Sequence, residues 1–354
     1  MRKRIAVIPG EDGGREAMEA ALGVLEQMAL AADFSFPLAA VPAGADGQAG
    51  LSPEARAGID AADATFFGAT DGGSFAALAY LRWGKDAYAN VRPTRWWPGC
   101  ASPLRAPEDI DLVIVRENLE DAYVRLEGDL RDLEPLDLAS RPLRRKAHEL
   151  GPGRYAIKAI TEAGSRRIAR FAFEVARRRK AAGGPGRVTA GAKWNMLPQS
   201  DGLFVEVARA VGADYPDIAF DTLLVDDLAQ KLVMAPGRFD VILLPNLYGD
   251  ILSDAAAALT GGLGVAPSGC YGPDYAYFEP VHGTAPDIAG RGRVNPTATL
   301  LAGAMMLEHI GLEPGAQRLR AALGRVYAAG RWLTPDQGGS ATTGDFCRAL
   351  IGEL

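Results

Sequence analysis

Cysteine, histidine and long apolar runs are scarce in this sequence, and each shortage excludes a class of protein. The three cysteines, Cys100, Cys270 and Cys347, are widely spaced and form no metal-like pattern. An odd, sparse set of this kind favours a reducing compartment and argues against a disulfide framework. No apolar run approaches the roughly 20 residues that cross a bilayer, and the apolar start at residues 5–8 is too short for a signal peptide. We therefore expect a cytoplasmic protein with no membrane partner.

The balance of charge limits the partners further. Lys and Arg number 38 against 44 Asp and Glu, so the formal net charge is −6, which argues against non-specific nucleic-acid binding. Basic residues do cluster between Arg166 and Lys180, and a nucleic-acid or scaffold protein could use such a helix. A solvated helix face is the commoner reason for such a run, so no nucleic-acid partner is predicted.

Short apolar or β-branched runs alternate with helical patterns, which is typical of an α/β protein. The clearest helical pattern spans residues 161–180, with Thr161 as a candidate N-cap and Gly183 as the expected stop. Residues 128–153 mix charge, proline and glycine, and they are predicted to form a surface excursion. Buried strands are predicted at residues 5–8, 65–67, 111–115, 155–160, 187–190 and 240–244.

Three arginines lie where a strand end or loop could present them to an acidic ligand. Arg82 and Arg92 are ten residues apart, and Arg116 ends the apolar run at residues 111–115. Arginine suits carboxylate recognition because its planar guanidinium can make two parallel charge-assisted hydrogen bonds. Spacing alone leaves open the alternative that all three are surface residues in ordinary ion pairs.

Aspartates near the start of a predicted helix form a candidate site for a hard metal ion. Asp250 and Asp254 are four residues apart, so their carboxylates share one helix face. Asp226 and Asp227 follow an apolar run and offer a further carboxylate. An all-oxygen set favours Mg²⁺ or Mn²⁺, whereas zinc is not expected because the three histidines are scattered. The alternative is that Asp250 and Asp254 serve only as helix caps and dipole partners.

Taken together, these segments resemble the β-decarboxylating dehydrogenases, which include isocitrate, 3-isopropylmalate, homoisocitrate and tartrate dehydrogenases. The resemblance covers nearly the whole chain in the family's order, and its motifs are long and specific. These motifs are Ile5-Ala-Val-Ile-Pro-Gly10, Asn90-Val-Arg-Pro93, Val115-Arg-Glu-Asn118, Lys193-Trp-Asn195, Asp201-Gly-Leu-Phe204, Asn246-Leu-Tyr-Gly-Asp-Ile-Leu-Ser-Asp254 and Glu279-Pro-Val-His-Gly-Thr-Ala-Pro-Asp-Ile-Ala-Gly290.

The resemblance implies an α/β, isopropylmalate dehydrogenase-like fold of two domains with open mixed sheets, not a Rossmann fold. The large domain, on the cofactor side, would comprise residues 1–89 and 261–354. The small domain would comprise residues 90–260 and carry the metal site and the dimer contact. The active cleft would then lie between the two domains.

The resemblance also implies roles for the matching residues. The three arginines would hold the carboxylates of a malate, and Asp250 and Asp254 would bind the divalent ion. Asp226 and the base Lys193 would come from a partner subunit, so the working unit would be a homodimer with shared active sites. Tyr123 would donate a proton late in the cycle. The implied reaction oxidises a 3-substituted malate with NAD and then releases CO₂.

The cofactor site also follows from the resemblance, because the fingerprint Gly-x-Gly-x-x-Gly is absent from a strand-to-helix turn. The family uses an early loop, which here reads Pro9-Gly-Glu-Asp-Gly-Gly-Arg-Glu16 and departs from the usual Pro-Gly-Asp-Gly-Ile-Gly-Pro-Glu. Asp287 stands where a carboxylate accepts from a free ribose 2′-hydroxyl and repels a 2′-phosphate, which predicts NAD rather than NADP. The implied cofactor-binding residues are His282, Gly283, Thr284, Ala285, Asp287, Ile288 and Asn295.

The C3 substituent of the malate would be read by the residues before Arg82. Leu78 resembles the apolar wall of isopropylmalate enzymes, whereas homoisocitrate enzymes carry an arginine where this chain has Ala79. An apolar substituent of isopropyl size or larger is therefore predicted. The alternative is a homoisocitrate or isocitrate dehydrogenase, in which Lys85 or Arg125 would have to meet the distal carboxylate. An alternative of another class is a non-catalytic regulatory subunit of a related hetero-oligomer, although the catalytic groups are all retained.

Overall fold

The computed structural model of the protein describes residues 2–30, 32–37 and 51–354. The strands within those ranges are β1 (Lys3–Ile8), β2 (Ala32–Pro37), β3 (Ala64–Phe67), β4 (Ala89–Arg95), β5 (Asp111–Glu117), β6 (Glu127–Asp129), β7 (Ala139–Ser140), β8 (Arg145–Lys146), β9 (Arg154–Ala156), β10 (Arg187–Ala192), β11 (Ala219–Leu224), β12 (Val241–Leu244), β13 (Pro267–Tyr271) and β14 (Ala276–Pro280). The α-helices of the same ranges are α1 (Asp12–Gln27), α2 (Pro53–Asp60), α3 (Phe75–Ala79), α4 (Glu162–Ala181), α5 (Ser200–Gly212), α6 (Val225–Met234), α7 (Asn246–Ala258), α8 (Thr297–His309), α9 (Glu313–Ala329) and α10 (Thr343–Glu353).

One mixed sheet of ten strands runs through the described part of the chain. Its order is β11-β10-β12-β5-β4-β13-β14-β3-β1-β2. Pairing is parallel towards both ends of the sheet, whereas the central pairs β5–β4, β4–β13 and β13–β14 are antiparallel. The mixed α/β architecture predicted from the sequence is therefore confirmed.

The strand order is compatible with the predicted pair of domains. The first five strands in that order come from residues 89–244, and the other five come from residues 3–67 and 267–280. The division of the chain near residues 89/90 and 260/261 stays a prediction, and its large domain includes residues 38–50, which lie outside the described residues.

Helices cover both faces of the sheet, so the inner strands are apolar at successive positions. In β1, Ile5 and Val7 belong to one buried cluster, while Ala6 and Ile8 belong to another. Burial on both faces is typical of parallel strands between helical layers. Helix α8 is buried throughout residues 297–307 and packs against β13, β14 and α9, as expected for a helix that is apolar all round.

The predicted helix at residues 161–180 is confirmed as α4. The Thr161 side chain accepts a hydrogen bond from the N–H of Gly164, and Gly183 follows the helix with φ of +94°, a conformation that glycine adopts easily. The predicted surface excursion at residues 128–153 is also confirmed, because this stretch is mostly exposed. It contains the two-residue strands β7 and β8, which pair only with each other in the described chain.

The prediction of a buried strand at residues 155–160 is wrong. Only its first two residues belong to a strand, β9, which pairs with the three-residue β6 in a separate ribbon. The side chain of Ile157 is 40% exposed, so its apolar character does not mark a core strand. Among the described helices, none is long and apolar enough to span a membrane.

Candidate active site

Three elements bring the predicted arginines to the start of helix α7. Arg82 lies on the π-helical turn Tyr80–Gly84 after α3, Arg92 on β4 and Arg116 on β5. The Oδ1 atom of Asn246, the first residue of α7, accepts from Arg116 Nε at 2.9 Å, Arg116 Nη2 at 2.6 Å and Arg82 Nη2 at 3.3 Å. A single buried amide therefore orients two guanidinium groups.

Arg92 and Arg116 also contact the helix face that carries the predicted metal ligands. Arg92 Nη1 lies 3.3 Å from Asp250 Oδ1 and 3.2 Å from Asp254 Oδ1, and Arg116 Nη1 donates to Asp250. Arg116 is only 2% exposed. Burial, together with the positive charge of Arg92, lowers the pKa of Arg116 to about 10, so it is still cationic at neutral pH. These are not ordinary surface ion pairs.

Tyr123 lies in the same cluster. It stands in the short 3₁₀ turn Ala122–Val124, and its hydroxyl donates to Asp250 Oδ2 at 2.5 Å. The guanidinium carbons of Arg82 and Arg116 lie 5.3 Å and 5.1 Å from its ring centroid. Burial and the hydrogen bond to Asp250 raise the pKa of Tyr123. The phenol therefore keeps its proton at neutral pH, as a proton donor requires.

Asp250 and Asp254 present carboxylates on one face of α7, and their surroundings fit a hard cation. Burial acts to raise the pKa of Asp250, but the charge of Arg116 and the Tyr123 hydroxyl outweigh it, and the pKa is lowered. Burial raises the pKa of Asp254 against the pull of Arg92, and the negative Asp250 adds to the rise. The first turn of α7 contains no acidic residue, so the capping alternative fails. Two neighbouring carboxylates, one of which raises the pKa of the other, offer the oxygen donors that Mg²⁺ or Mn²⁺ prefers.

Lys193 and Asp226 lie together, and among the described residues Asp226 forms no three-carboxylate cluster with Asp250 and Asp254. Lys193 follows β10, and its Nζ lies 2.7 Å from Asp226 Oδ1 at the start of α6. The hydrogen bond from this ammonium lowers the pKa of Asp226. Over the described ranges, no three His, Cys, Asp or Glu side chains converge as a metal cluster. Within the described residues, Asp250 and Asp254 are therefore not joined by a third acidic side chain.

A buried ion cluster that could not be predicted from the sequence lies next to the candidate site. Lys158 Nζ lies 2.6 Å from Asp201 Oδ1 and 3.5 Å from Asp121 Oδ1, and both carboxylates are fully buried. The same ammonium lies 4.2 Å from the ring centroid of Tyr248. One lysine therefore offsets two carboxylates that water does not reach.

The same two carboxylates fix the backbone near Lys193 and Tyr123, the predicted catalytic residues. Asp201 Oδ2 accepts the N–H of Lys193 at 2.7 Å. Asp121 Oδ1 accepts the N–H that opens the turn of Tyr123 at 2.8 Å, and its Oδ2 accepts the N–H of Leu247 at 2.9 Å. The motif at residues 201–204 could have drawn attention to Asp201 in the sequence. No motif of the sequence analysis includes Lys158 or Asp121.

The two loops assigned to the cofactor lie side by side. A Cβ atom added to Gly13, at the start of α1, would stand 2.8 Å from the carbonyl oxygen of Thr284, so this turn packs directly on the segment after β14. In that segment Asp287 is exposed, and Ala285 adopts a φ of +48°. The N–H of Ile288 donates to the Ala285 carbonyl at 3.2 Å.

Two further cofactor candidates differ in their free hydrogen-bonding capacity. Nδ1 of His282 lies 2.8 Å from the carbonyl of Gly283, whereas its buried Nε2 has no protein partner in the described residues. Burial lowers the pKa of His282. Asn295, in contrast, donates to Tyr327 and Asp336 and accepts the N–H of Thr297. The Asn295 amide is thus occupied by the protein itself.

The residues expected to read the C3 substituent lie on α3 and are partly exposed. Leu78 and Ala79 end this helix, next to the turn that carries Arg82. Lys85, one of two cations considered for a distal carboxylate, has its Nζ 2.5 Å from Asp60 Oδ1. The other, Arg125, has its guanidinium carbon 5.4 Å from the Phe75 ring centroid.

Comparisons with known proteins agree along the whole chain. The family model described as isocitrate/isopropylmalate dehydrogenase matches residues 4–350. The 3-isopropylmalate dehydrogenase of Archaeoglobus fulgidus is 39% identical over 354 residues, which cover 99% of each chain. The isocitrate/homoisocitrate dehydrogenase of Thermus thermophilus is 40% identical over 370 aligned residues, which cover 100% of this chain and 99% of the relative.

A solved structure gives the same result for the fold. The crystal structure of isocitrate dehydrogenase from Methylococcus capsulatus has a TM-score of 0.85 and 36% sequence identity, with 99% of each chain covered. The family match and the convergence of the predicted site residues at α7 leave the non-catalytic alternative without support. The chain belongs to the isocitrate/isopropylmalate dehydrogenase family, and it is a nicotinamide-dependent, metal-dependent dehydrogenase that oxidatively decarboxylates a hydroxy acid.

Proposed function

We propose that the protein oxidises and decarboxylates a 3-substituted malate whose C3 substituent is apolar, with NAD as the oxidant. The observation that carries the proposal is the convergence of Arg82, Arg92, Arg116 and Tyr123 around Asp250. This arrangement places carboxylate-binding cations beside a proton donor and a metal-binding carboxylate. A dicarboxylic acid with a hydroxyl group between its carboxylates has the charge and polarity to match it.

Each side chain has a definite task in this reaction. The guanidinium groups bind and orient the two malate carboxylates, and burial strengthens the hold of Arg116 on its anion. Asp250 and Asp254 would hold Mg²⁺ or Mn²⁺, whose charge stabilises electrons on the substrate oxygen at C2. Lys193, as the neutral amine, would take the hydroxyl proton while hydride passes from C2 to NAD, and Tyr123 would return a proton to C3 after CO₂ leaves.

The proposal includes a homodimer with shared active sites. Lys193 and Asp226 form an exposed pair, with 64% of the Asp226 side chain accessible, while Asp250 and Asp254 lack a third acidic ligand among the described residues. Each chain thus offers two incomplete groups of site residues, one a lysine with an aspartate and the other two aspartates. This supports an active site that combines one group from each subunit. In that arrangement Asp226 and Lys193 would serve the α7 carboxylates of the other subunit.

The choice of NAD and of an apolar substituent rests on finer features. Asp287 is an exposed carboxylate in the segment that packs on α1, where it would disfavour a 2′-phosphate. Leu78 and Ala79 offer no charge to a distal carboxylate, and Lys85 is already paired with Asp60. The cytoplasmic location predicted from the cysteine content is part of the same proposal.

A substrate panel tests the proposal directly. Purified protein with Mn²⁺ is assayed for reduction of NAD, and separately of NADP, with isopropylmalate, benzylmalate, isocitrate, homoisocitrate and tartrate. We expect turnover with isopropylmalate or benzylmalate, faster with NAD, and loss of activity with EDTA that Mn²⁺ restores. Exclusive use of the tricarboxylic acids would overturn the apolar pocket, and faster turnover with NADP would overturn the cofactor choice.

The second candidate function is a tricarboxylic substrate, as in the isocitrate/homoisocitrate relative. Arg125 favours it, because its guanidinium lies beside Phe75 at the start of α3, where it could meet a distal carboxylate. An Arg125→Ala variant separates the two functions. If the arginine binds a distal carboxylate, kcat/KM for homoisocitrate falls by about tenfold or more while that for isopropylmalate is unchanged.

A further inference from the structure

Glu11 stands in the unusual first loop and is directed at the loop that follows β3. Its Oε2 accepts from Thr70 Oγ1 at 2.5 Å and from the N–H of Asp71 at 2.9 Å, while its Oε1 accepts from Ser74 Oγ at 2.6 Å. The N–H of Glu11 also donates to the carbonyl of Ala69 at 3.0 Å. One carboxylate therefore holds three donors of the same loop.

This loop leads straight into the helix that carries the specificity residues. Ser74 is the N-cap residue of α3, but its hydroxyl donates to Glu11 and makes no capping bond to the helix. Helix α3 has only five residues and continues into the π-helical turn that carries Arg82. So short a helix has little stability of its own, and its direction depends on the contacts that hold its first residue.

The helix that follows Glu11 contacts the predicted cofactor-binding segment after β14. Glu11 immediately precedes α1, whose Gly13 packs against the carbonyl of Thr284. One turn further, Glu16 Oε2 accepts the N–H of Gly290 at 3.0 Å. Helix α1 therefore has a defined position relative to the cofactor loop, and Glu11 is the side chain that connects this position to the start of α3.

We propose that Glu11 is a positioning residue that fixes α3 relative to α1, and thereby sets where Leu78, Ala79 and Arg82 meet the substrate. The part that concerns the substrate rests on the proposed function, whereas the mechanical link does not. Glutamine replaces the carboxylate only in part, because it has no charge to strengthen the bonds from Thr70 and Asp71. Its NH₂ group would face Ser74 Oγ and reverse that hydrogen bond, since the hydroxyl can also accept.

The kinetic test compares Glu11→Gln with Glu19→Gln, a control at an exposed position on α1. For Glu11→Gln we expect KM for the preferred malate to rise by about tenfold while kcat changes by less than about twofold. The preference for that substrate over unsubstituted malate should fall as well. Equal loss of kcat on both substrates, or no change in KM, would contradict the positioning role.

A second variant isolates the link to α3. Ser74→Ala removes the contact between Glu11 and the helix start but leaves the bonds to Thr70 and Asp71. We expect this variant to reproduce most of the KM increase, and the double variant to show no larger an increase than Glu11→Gln alone. Fully additive effects would show that the two side chains act separately and would refute the link.

Hydrogen exchange tests the link without any turnover. In the free protein, backbone amides of residues 75–84 should exchange about tenfold faster in Glu11→Gln than in the wild type or Glu19→Gln. Unchanged exchange would refute the proposal whatever the kinetics show. If Glu11→Gln exchanged faster but the wild type turned over none of the malates, the mechanical link would stand and the proposed function would be overturned.

Discussion

Lys158 shows how strongly one buried charge can affect the stability of this molecule. It is the cation that faces both Asp121 and Asp201, and neither carboxylate is exposed. Lys158→Met would keep most of the side-chain volume and leave two buried charges without their cation. We expect the free energy of unfolding to fall by about 3 to 5 kcal/mol, measured by urea denaturation at neutral pH.

A matched control for this prediction is Lys85→Met. Lys85 also pairs with an aspartate, but the side chain of Asp60 is 44% exposed, so water can solvate the carboxylate that remains. We expect a loss within about 1 kcal/mol for this variant. Equal losses for the two variants would mean that burial of the aspartates does not set the effect.

Glu117 makes stability depend on pH near neutrality. Burial raises its pKa to about 7, and the charges of nearby Glu120 and Arg167 have smaller, opposite effects. In the unfolded chain the carboxyl titrates near its ordinary 4.5, so between these two values the folded state holds a proton that the unfolded state has lost. The stability contributed by Glu117 is therefore complete below pH 4.5 and is lost as the pH rises through 7.

Glu117→Gln removes this titration. Relative to the wild type, the variant should gain about 2 to 3 kcal/mol in unfolding free energy between pH 5 and pH 8. The Glu117 carboxylate accepts the N–H groups of Leu119 and Glu120, and the change in these bonds shifts the stability of the variant equally at every pH. Denaturation curves across this pH range measure the difference. Glu19→Gln, at an exposed position, should run parallel to the wild type, and a parallel Glu117→Gln curve would show that Glu117 titrates normally.

Side chains that repeat a family motif could be predicted from the sequence, whereas residues that act through distant partners could not. Arg116 and Asp250 stood out because their motifs are specific, and the structure brings them together. Lys158 lies outside those motifs, and its two partners come from distant stretches of the chain. Glu11 was noticed as a departure from the pattern, but its three bonds depend on the position of another loop.

At the scale of elements, the contact between α7 and β5 requires a glycine. A Cβ atom at Gly249 would stand 2.6 Å from Cγ and 2.7 Å from Cβ of Arg116, so the helix could keep its place only if the arginine moved. Although alanine is the better helix former, we expect Gly249→Ala to destabilise the protein by about 1 to 3 kcal/mol. The displaced guanidinium should also raise KM for the malate, measured by steady-state kinetics.

Gly202 provides the control for this prediction. It also lies inside a helix, α5, but an added Cβ would meet nothing within 4 Å. Gly202→Ala should therefore show only the helix-propensity gain of about 0.5 to 1 kcal/mol and leave KM unchanged. If both alanines stabilised the protein equally, the close approach of Arg116 to α7 would be refuted.

Some elements could be predicted from the sequence more closely than others. Helix α4 was predicted closely because its cap and its apolar stripe are both local signals. Strand β4 was missed because Asn90, Arg92 and Pro93 interrupt its apolar pattern. Pro93 is tolerated because β13 pairs only with residues 89–91, beyond which β4 is hydrogen-bonded on one side alone.

At the scale of the whole molecule, the site draws on both parts of the continuous sheet. Arg92 and Arg116 come from the paired strands β4 and β5, while Arg82 follows α3, which lies after β3 in the other half. The sequence could indicate each half through its motifs. The sequence could not show whether one chain supplies every side chain of the site. That depends on how side chains from distant parts of the fold, or from two subunits, come together.

Hybrid dimers decide whether two chains share each site. Asp226→Asn and Asp250→Asn subunits, each expected to be inactive alone, are co-expressed with different affinity tags, and the hybrid is isolated by tandem purification. If Asp226 serves the partner's site, one of the two sites in the hybrid keeps both aspartates and the other loses both. Turnover per dimer should then recover to about half that of the wild type, given two-fold symmetry. If each site were built from one chain, both sites would carry a defect, and the hybrid would be as inactive as its parents.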